Sequence, residues 1–147
     1  MSGQVFKKTS VACWAGVFFF FALIGLDQLA KHFAAATFRN YQFAFSLPLP
    51  AWLIYFIYAA IIFALAAYLK KHYRLLALKE AVGWLLLAAG AMENVIERVV
   101  LGYVRDFIFI TWSRWTGIYN LADLYIVLGI IILIIASAPE RQLKKYF

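Results

Sequence analysis

Residues 51–71 read AWLIYFIYAAIIFALAAYLKK, an uncharged apolar run that ends at a lysine pair, with Pro48 and Pro50 just ahead of it. A run of about 20 such residues is what a helix needs to cross a bilayer. Three further segments of the 147-residue chain have the same character. Val11 to Leu26, continuing to Ala30, comes first; a third opens near Ala81 and is cleanly apolar to Met92; the last runs from Tyr119 to Ala138 and stops at Pro139. The chain is 66% hydrophobic and 14% charged, well beyond the roughly half-apolar makeup of a soluble domain, so the excess needs lipid to cover it. The expected architecture is an all-α membrane protein, one integral membrane domain over residues 1–147. Its four transmembrane helices are placed at about 11–30, 51–69, 80–101 and 119–138, with outer connectors at 31–50 and 102–118.

Charge sets the orientation. Lys7, Lys8, Lys70, Lys71, Arg74, Lys79, Arg141, Lys144 and Lys145 flank one set of helix ends, nine of the fourteen basic residues. Lys31, Arg39, Arg98, Arg105 and Arg114 lie toward the other. Basic ends stay in the cytoplasm, so both termini are predicted there. The net charge of +7 therefore reads as a topology signal, and no nucleic-acid partner is expected. A cleavable leader is disfavoured: Asp27, Lys31 and His32 separate the first apolar run from the small residues Ala34-Ala35-Ala36. The single cysteine, Cys13, permits no internal disulfide and reads as a small core thiol. No zinc-like spacing is present, and neither a metal nor a cofactor is expected. On the outer side, residues 31–50 are expected to hold a small strand or hairpin. Tyr103 to Trp112 is rich in aromatic and β-branched residues and predicts a short strand.

Five of the seven carboxylates lie in or beside apolar segments: Asp27, Glu93, Glu97, Asp106 and Asp123. An acid against hydrocarbon needs a partner, a proton or a task. Asp27 and Lys31 are four apart on one helix face and read as a structural ion pair. Glu93, Asn94, Glu97 and Arg98 form one polar stripe that should face the bundle interior, with Arg98 pairing to Glu93, Glu97 or an outer-loop acid. Asn120 is a candidate helix cap, with Asp123 in the first turn behind it. Asp106 and Asp123 bracket a short outer connector. Two carboxyls at hydrogen-bond distance tend to share one proton, so one can activate water while the other polarises a carbonyl.

In order along the chain, these residues resemble the bacterial lipoprotein signal peptidases, or signal peptidase II. Asp27-Gln28-Leu29-Ala30-Lys31 resembles the family's D-Q-x-x-K element, and Asn40 through Ser46 a degraded N-x-G-A-A-F-S. Residues 89–108, AGAMENVIERVVLGYVRDFI, resemble G-G-A-x-G-N-x-x-D-R-x-x-x-G-x-V-x-D-F, and Tyr119 to Asp123 resembles F-N-x-A-D. The resemblance implies an aspartic endopeptidase with Asp106 and Asp123 as its dyad and Asn40, Asn94, Arg98 and Asn120 lining or bracing the site. It also implies a small extracytoplasmic β-rich cradle and small residues at Gly102 and Ala122 for close helix approach. Its substrate would be a lipid-modified prolipoprotein cut before the diacylglyceryl-cysteine, at the outer face of the bacterial inner membrane, among phospholipid and as a monomer.

Departures are Ala89, Glu93, Glu97, Gln42 and Phe43, of which Glu93 adds a carboxylate where the family has glycine. They motivate a second reading, a catalytically altered relative that binds lipidated peptides. A third, a small proton-coupled transporter, fits poorly with acids gathered toward one face and a nine-to-five charge bias.

Overall fold

The long helix that carries the polar stripe, Leu78–Leu101, is the third helix of the fold and its organising element. The computed structural model describes residues 2–41, 49–72, 77–113 and 115–137; Gln42, Phe43 and Ser46 of the second motif lie outside them. The helices are α1 (Ser2–Phe33), α2 (Ala51–His72), α3 (Leu78–Leu101) and α4 (Leu121–Ser137). Between them lie β1 (Phe38–Asn40), β2 (Val104–Asp106), β3 (Ile108–Trp112) and β4 (Trp115–Tyr119). The chain is therefore mostly helical, with a small strand-rich region at one end.

Several boundaries differ from those expected. The first helix extends over Ser2–Phe33, beyond the 11–30 predicted from hydropathy, because helical hydrogen bonding does not stop where charge begins. The fourth starts at Leu121, not Tyr119, because Asn120 caps it and Tyr119 belongs to β4. The strand expected over Tyr103 to Trp112 is two strands broken at Phe107, and β4 was assigned to a connector.

The interior is polar and the exterior apolar. Among the described residues, the largest fully buried side chains are Glu93, Glu97, Asn120, Asp27 and Asp106, with Val104 the one apolar member. Trp14, Phe18, Trp52, Phe63, Val100 and Ile134 are exposed. Water would penalise that surface, whereas hydrocarbon accommodates it. Among the described residues, Trp14–Phe33 is long and apolar enough to cross a membrane, and Trp52–Tyr68 and Leu121–Ser137 are shorter apolar helices.

Small residues let α3 and α4 pack backbone to backbone. A Cβ on Gly90 would lie 2.3 Å from the Ala122 carbonyl oxygen, and one on Gly129 would lie 2.7 Å from that of Gly83. Ala122 is fully buried against this contact, as the close-approach expectation required. Gly102 is small for a different reason. It ends α3 with φ +81° and its N–H donates to the Arg98 carbonyl, while nothing lies within 4 Å of its Cβ position.

Two antiparallel pairs complete the fold. In β1–β2, Phe38 faces Asp106 and Asn40 faces Val104. In β3–β4, Ile108 pairs with Tyr119 and Trp112 with Trp115, with Ser113 at φ 57° in the tight turn. The ladder reaches one residue further, since the Phe107 N–H donates to the Tyr119 carbonyl at 2.8 Å. The residues just outside the hairpin on each arm, Asp106 and Asn120, are thereby set side by side.

Gly90→Ala is expected to destabilise the protein by about 3 kcal/mol, an overpacking cost, because backbone must move to admit the methyl. Gly25→Ala, whose Cβ meets nothing within 4 Å, should leave stability unchanged or slightly raised. Thermal unfolding in detergent checks both; equal midpoints for the two variants would contradict the packing.

Candidate active site

Asp106 ends β2 and Asp123 sits in the first turn of α4, and one residue touches both. The Asn120 Nδ2 donates to Asp106 Oδ1 at 2.7 Å, its backbone N–H donates to Asp123 Oδ2 at 3.2 Å, and its Oδ1 accepts from the Asp123 N–H at 2.8 Å. The last two bonds form a reciprocal cap on α4, as the sequence pattern anticipated. Asn94 closes the arrangement: its Nδ2 donates to Asp123 Oδ1 at 2.8 Å and its Oδ1 accepts from Asn120 Nδ2 at 3.2 Å. Asn40, delivered by β1, donates to Asp106 Oδ2 at 2.9 Å. Side-chain amides thus supply donors to three of the four carboxyl oxygens of the two acids.

Arg98 lies one turn beyond Asn94 and donates to its carbonyl at 3.3 Å. Its guanidinium sits 5.5 Å from the Tyr58 ring centroid and within electrostatic reach of Asp123. Glu97, one of the acids expected to pair with it, is instead engaged by Lys31 and Arg105. All the residues singled out around the pair, Asn40, Asn94, Arg98 and Asn120, therefore converge on it.

Asp106 is almost wholly buried, and loss of solvent pushes its carboxyl from the ordinary 3.8 up to about 6. Donation from Asn40 and Asn120 opposes the rise, and the nearby Asp123 charge adds to it. The folded state consequently holds this proton more tightly than the unfolded chain. Its ionisation costs nothing below about pH 4, and the cost grows until about pH 6.

A second polar cluster abuts the first. The Lys31 ammonium lies 2.5 Å from Asp27 Oδ2, 2.8 Å from Glu97 Oε2 and 3.6 Å from Glu93 Oε1. Asp27 Oδ1 accepts the N–H groups of Leu121 at 3.0 Å and Ala122 at 3.3 Å, so α1 caps the start of α4. Glu97 accepts from the Arg105 backbone N–H at 2.9 Å and from its Nε at 2.8 Å, fixing the strand that ends in Asp106. Glu93 turns into this cluster, accepting from Gln28. The expected ion pair Asp27–Lys31 is present, yet it also anchors the two segments that bear Asp106 and Asp123.

Three residues here were not singled out from sequence: Gln28, Arg105 and Tyr58. Tyr58 lies on α2 within reach of both acids electrostatically, and Tyr55 on the same helix donates to the Arg98 carbonyl at 2.9 Å. Their spacing of three places two hydroxyls on one face of α2, a signal from which the sequence could have offered them. No group of three or more histidine, cysteine or acidic residues suited to a metal occurs among the described residues.

The apolar exterior and polar interior are those of a membrane protein. A solved structure described as a bacterial membrane enzyme, determined by the in meso method at 1.9 Å, superposes with a TM-score of 0.69 at 27% identity, covering 86% of this chain and 94% of that one. The lipoprotein signal peptidase of Streptococcus agalactiae is 34% identical over 82% of this chain and 89% of its own length. That of Ectopseudomonas mendocina is 46% identical over a shorter stretch, 44% of this chain and 37% of that protein. Residues 17–138 match the family described as signal peptidase (SPase) II, and the chain belongs to that family.

Lys31→Met is expected to cost about 3 kcal/mol of stability, because it leaves buried carboxylates without their shared cation. A change below half a kcal/mol in a denaturation series would show that the cluster does not hold the fold together.

Proposed function

We propose that this chain is an aspartic endopeptidase that removes signal peptides from lipid-modified prolipoproteins, cutting just before the diacylglyceryl-cysteine. Membership of the signal peptidase II family supports the processing of lipoprotein precursors. The observation that carries the catalytic assignment is the double engagement of Asn120, which holds Asp106 by its side chain and Asp123 by its backbone.

In this reading a water lies between the two carboxyls. One carboxylate takes a proton from the water as it attacks the scissile carbonyl, while the other acid gives its proton to the carbonyl oxygen. The tetrahedral intermediate then collapses as the amine leaves with a proton returned from the dyad. With its carboxyl raised to about 6, Asp106 exchanges a proton close to neutrality. Asn40, Asn94 and Asn120 fix the orientation of both acids before substrate arrives. Neither a metal nor a cofactor takes part.

The four helices span the inner membrane as one domain, residues 1–147, with both termini cytoplasmic and the dyad toward the outer face. The basic flanks of the apolar runs support that orientation. The exposed aromatic and aliphatic surface faces phospholipid, where the acyl chains of the substrate also lie. The protein works as a monomer.

Asp106→Asn and Asp123→Asn should each lower the turnover of a diacylglyceryl-modified precursor at least about a thousandfold with the protein still folded. Undiminished release of the signal peptide by either variant would refute the dyad. For the wild-type enzyme, kcat/KM should fall as pH rises through about 6, where the free dyad loses its shared proton. Asn40→Ala removes a donor that favours ionised Asp106, so this alkaline limb should move upward by about half a unit or more. A limb that stays in place or moves down in the pH–rate profile would contradict the assignment.

A further inference from the structure

Glu93 stands where the signal peptidase II pattern has glycine, and the proposed chemistry does not use it. It is 1% exposed. Its Oε1 accepts from Gln28 Nε2, and its Oε2 has no hydrogen-bond partner among the described residues. The same Gln28 nitrogen donates to Glu97 Oε1 at 3.1 Å, and the Gln28 carbonyl accepts from an Arg105 terminal nitrogen at 2.6 Å. One amide therefore joins Glu93 to Glu97 and to the residue immediately before Asp106.

Charge in this pocket does not balance if every group is ionised. From α1 come Asp27 and Lys31, from α3 Glu93 and Glu97, and from β2 Arg105. From α4, Tyr125 lies near Asp27, and Asp123 is engaged by Asn94 and Asn120. Arg98, next along α3, is directed to Asn94 and Tyr58. Three carboxyls thus meet two cations. Lys31 lies closest to Asp27 and Glu97, and its 3.6 Å separation from Glu93 is the longest of the three. A buried surplus charge is far more costly than a neutral acid with one unused hydroxyl.

We infer that Glu93 is a neutral carboxylic acid that locks Gln28 and, through Gln28 and Arg105, positions the strand carrying Asp106. It is a positioning residue that replaces the conformational simplicity of a glycine with a hydrogen-bonded strut. The catalytic half of this statement rests on the aspartic peptidase reading; the neutral state of Glu93 does not.

The test combines infrared spectroscopy with kinetics on the full chain in detergent micelles at neutral pH. The difference spectrum of wild type minus Glu93→Gln should contain the carbonyl band of a neutral carboxylic acid. Its absence would overturn the inference. With a lipid-modified precursor, Glu93→Gly should lower kcat about tenfold at nearly constant KM, whereas Glu93→Gln, which keeps an acceptor for Gln28, should recover most of that loss. Equal rates for the glycine variant and wild type, or equal losses for both variants, would overturn the positioning role. A band present in wild type that does not turn over precursor would count against the peptidase reading while supporting the neutral acid.

Discussion

One buried ammonium organises this protein. Lys31 gathers Asp27 and Glu97, and each of these acids passes the constraint onward to a different segment, one bearing Asp123 and the other Asp106. Asp27 accepts the first N–H groups of α4, the helix of Asp123; Glu97 accepts the backbone and side chain of Arg105, the neighbour of Asp106. Such a cluster is expensive to assemble in a low-dielectric setting and strongly destabilising to break at one member. What it provides here is registry. Two acids from separate elements need fixed separations, and a shared cation between their supports enforces them.

The surroundings make that arrangement tenable. With polar groups inside and aromatic and aliphatic groups outside, Asp27, Lys31 and Glu97 find their partners within the bundle, as lipid requires. Close packing of α3 on α4 at Gly83, Gly90 and Gly129 sets the depth of Asp123, while the β3–β4 hairpin sets the lateral position of Asp106 against Asn120. Helix packing and hairpin register thus add to the link through Lys31, and Asn120, at the junction of hairpin and helix, joins the two acids directly.

Much of this was legible in the sequence because it rests on local patterns. Apolar runs marked the helices, the Glu93–Arg98 spacing marked an inward stripe, and Asn120 followed by Asp123 marked a cap. What escaped depends on contacts between distant segments. The partners of Glu97 come from α1 and β2, so local reasoning that offered it Arg98 had no means to find Lys31 or Arg105. Gly102 was read as small for packing, but its positive φ depends on how the chain leaves α3. Strand β4 was missed because Trp115–Tyr119 is short and holds Gly117, which weakens a strand pattern, and its pairing with β3 is made between segments. Tyr58 was hidden in a strongly apolar helix, where a hydroxyl is easily read as an interface anchor.

The proposed mechanism requires one water held between Asp106 and Asp123. The most direct measurement is a crystal structure with a peptide analogue bearing a secondary alcohol in place of the scissile carbonyl. Its hydroxyl should lie within hydrogen-bond distance of a carboxyl oxygen from each acid. An analogue bound with its hydroxyl against only one of them, or outside the cradle formed by Asn40, Asn94 and Asn120, would contradict it.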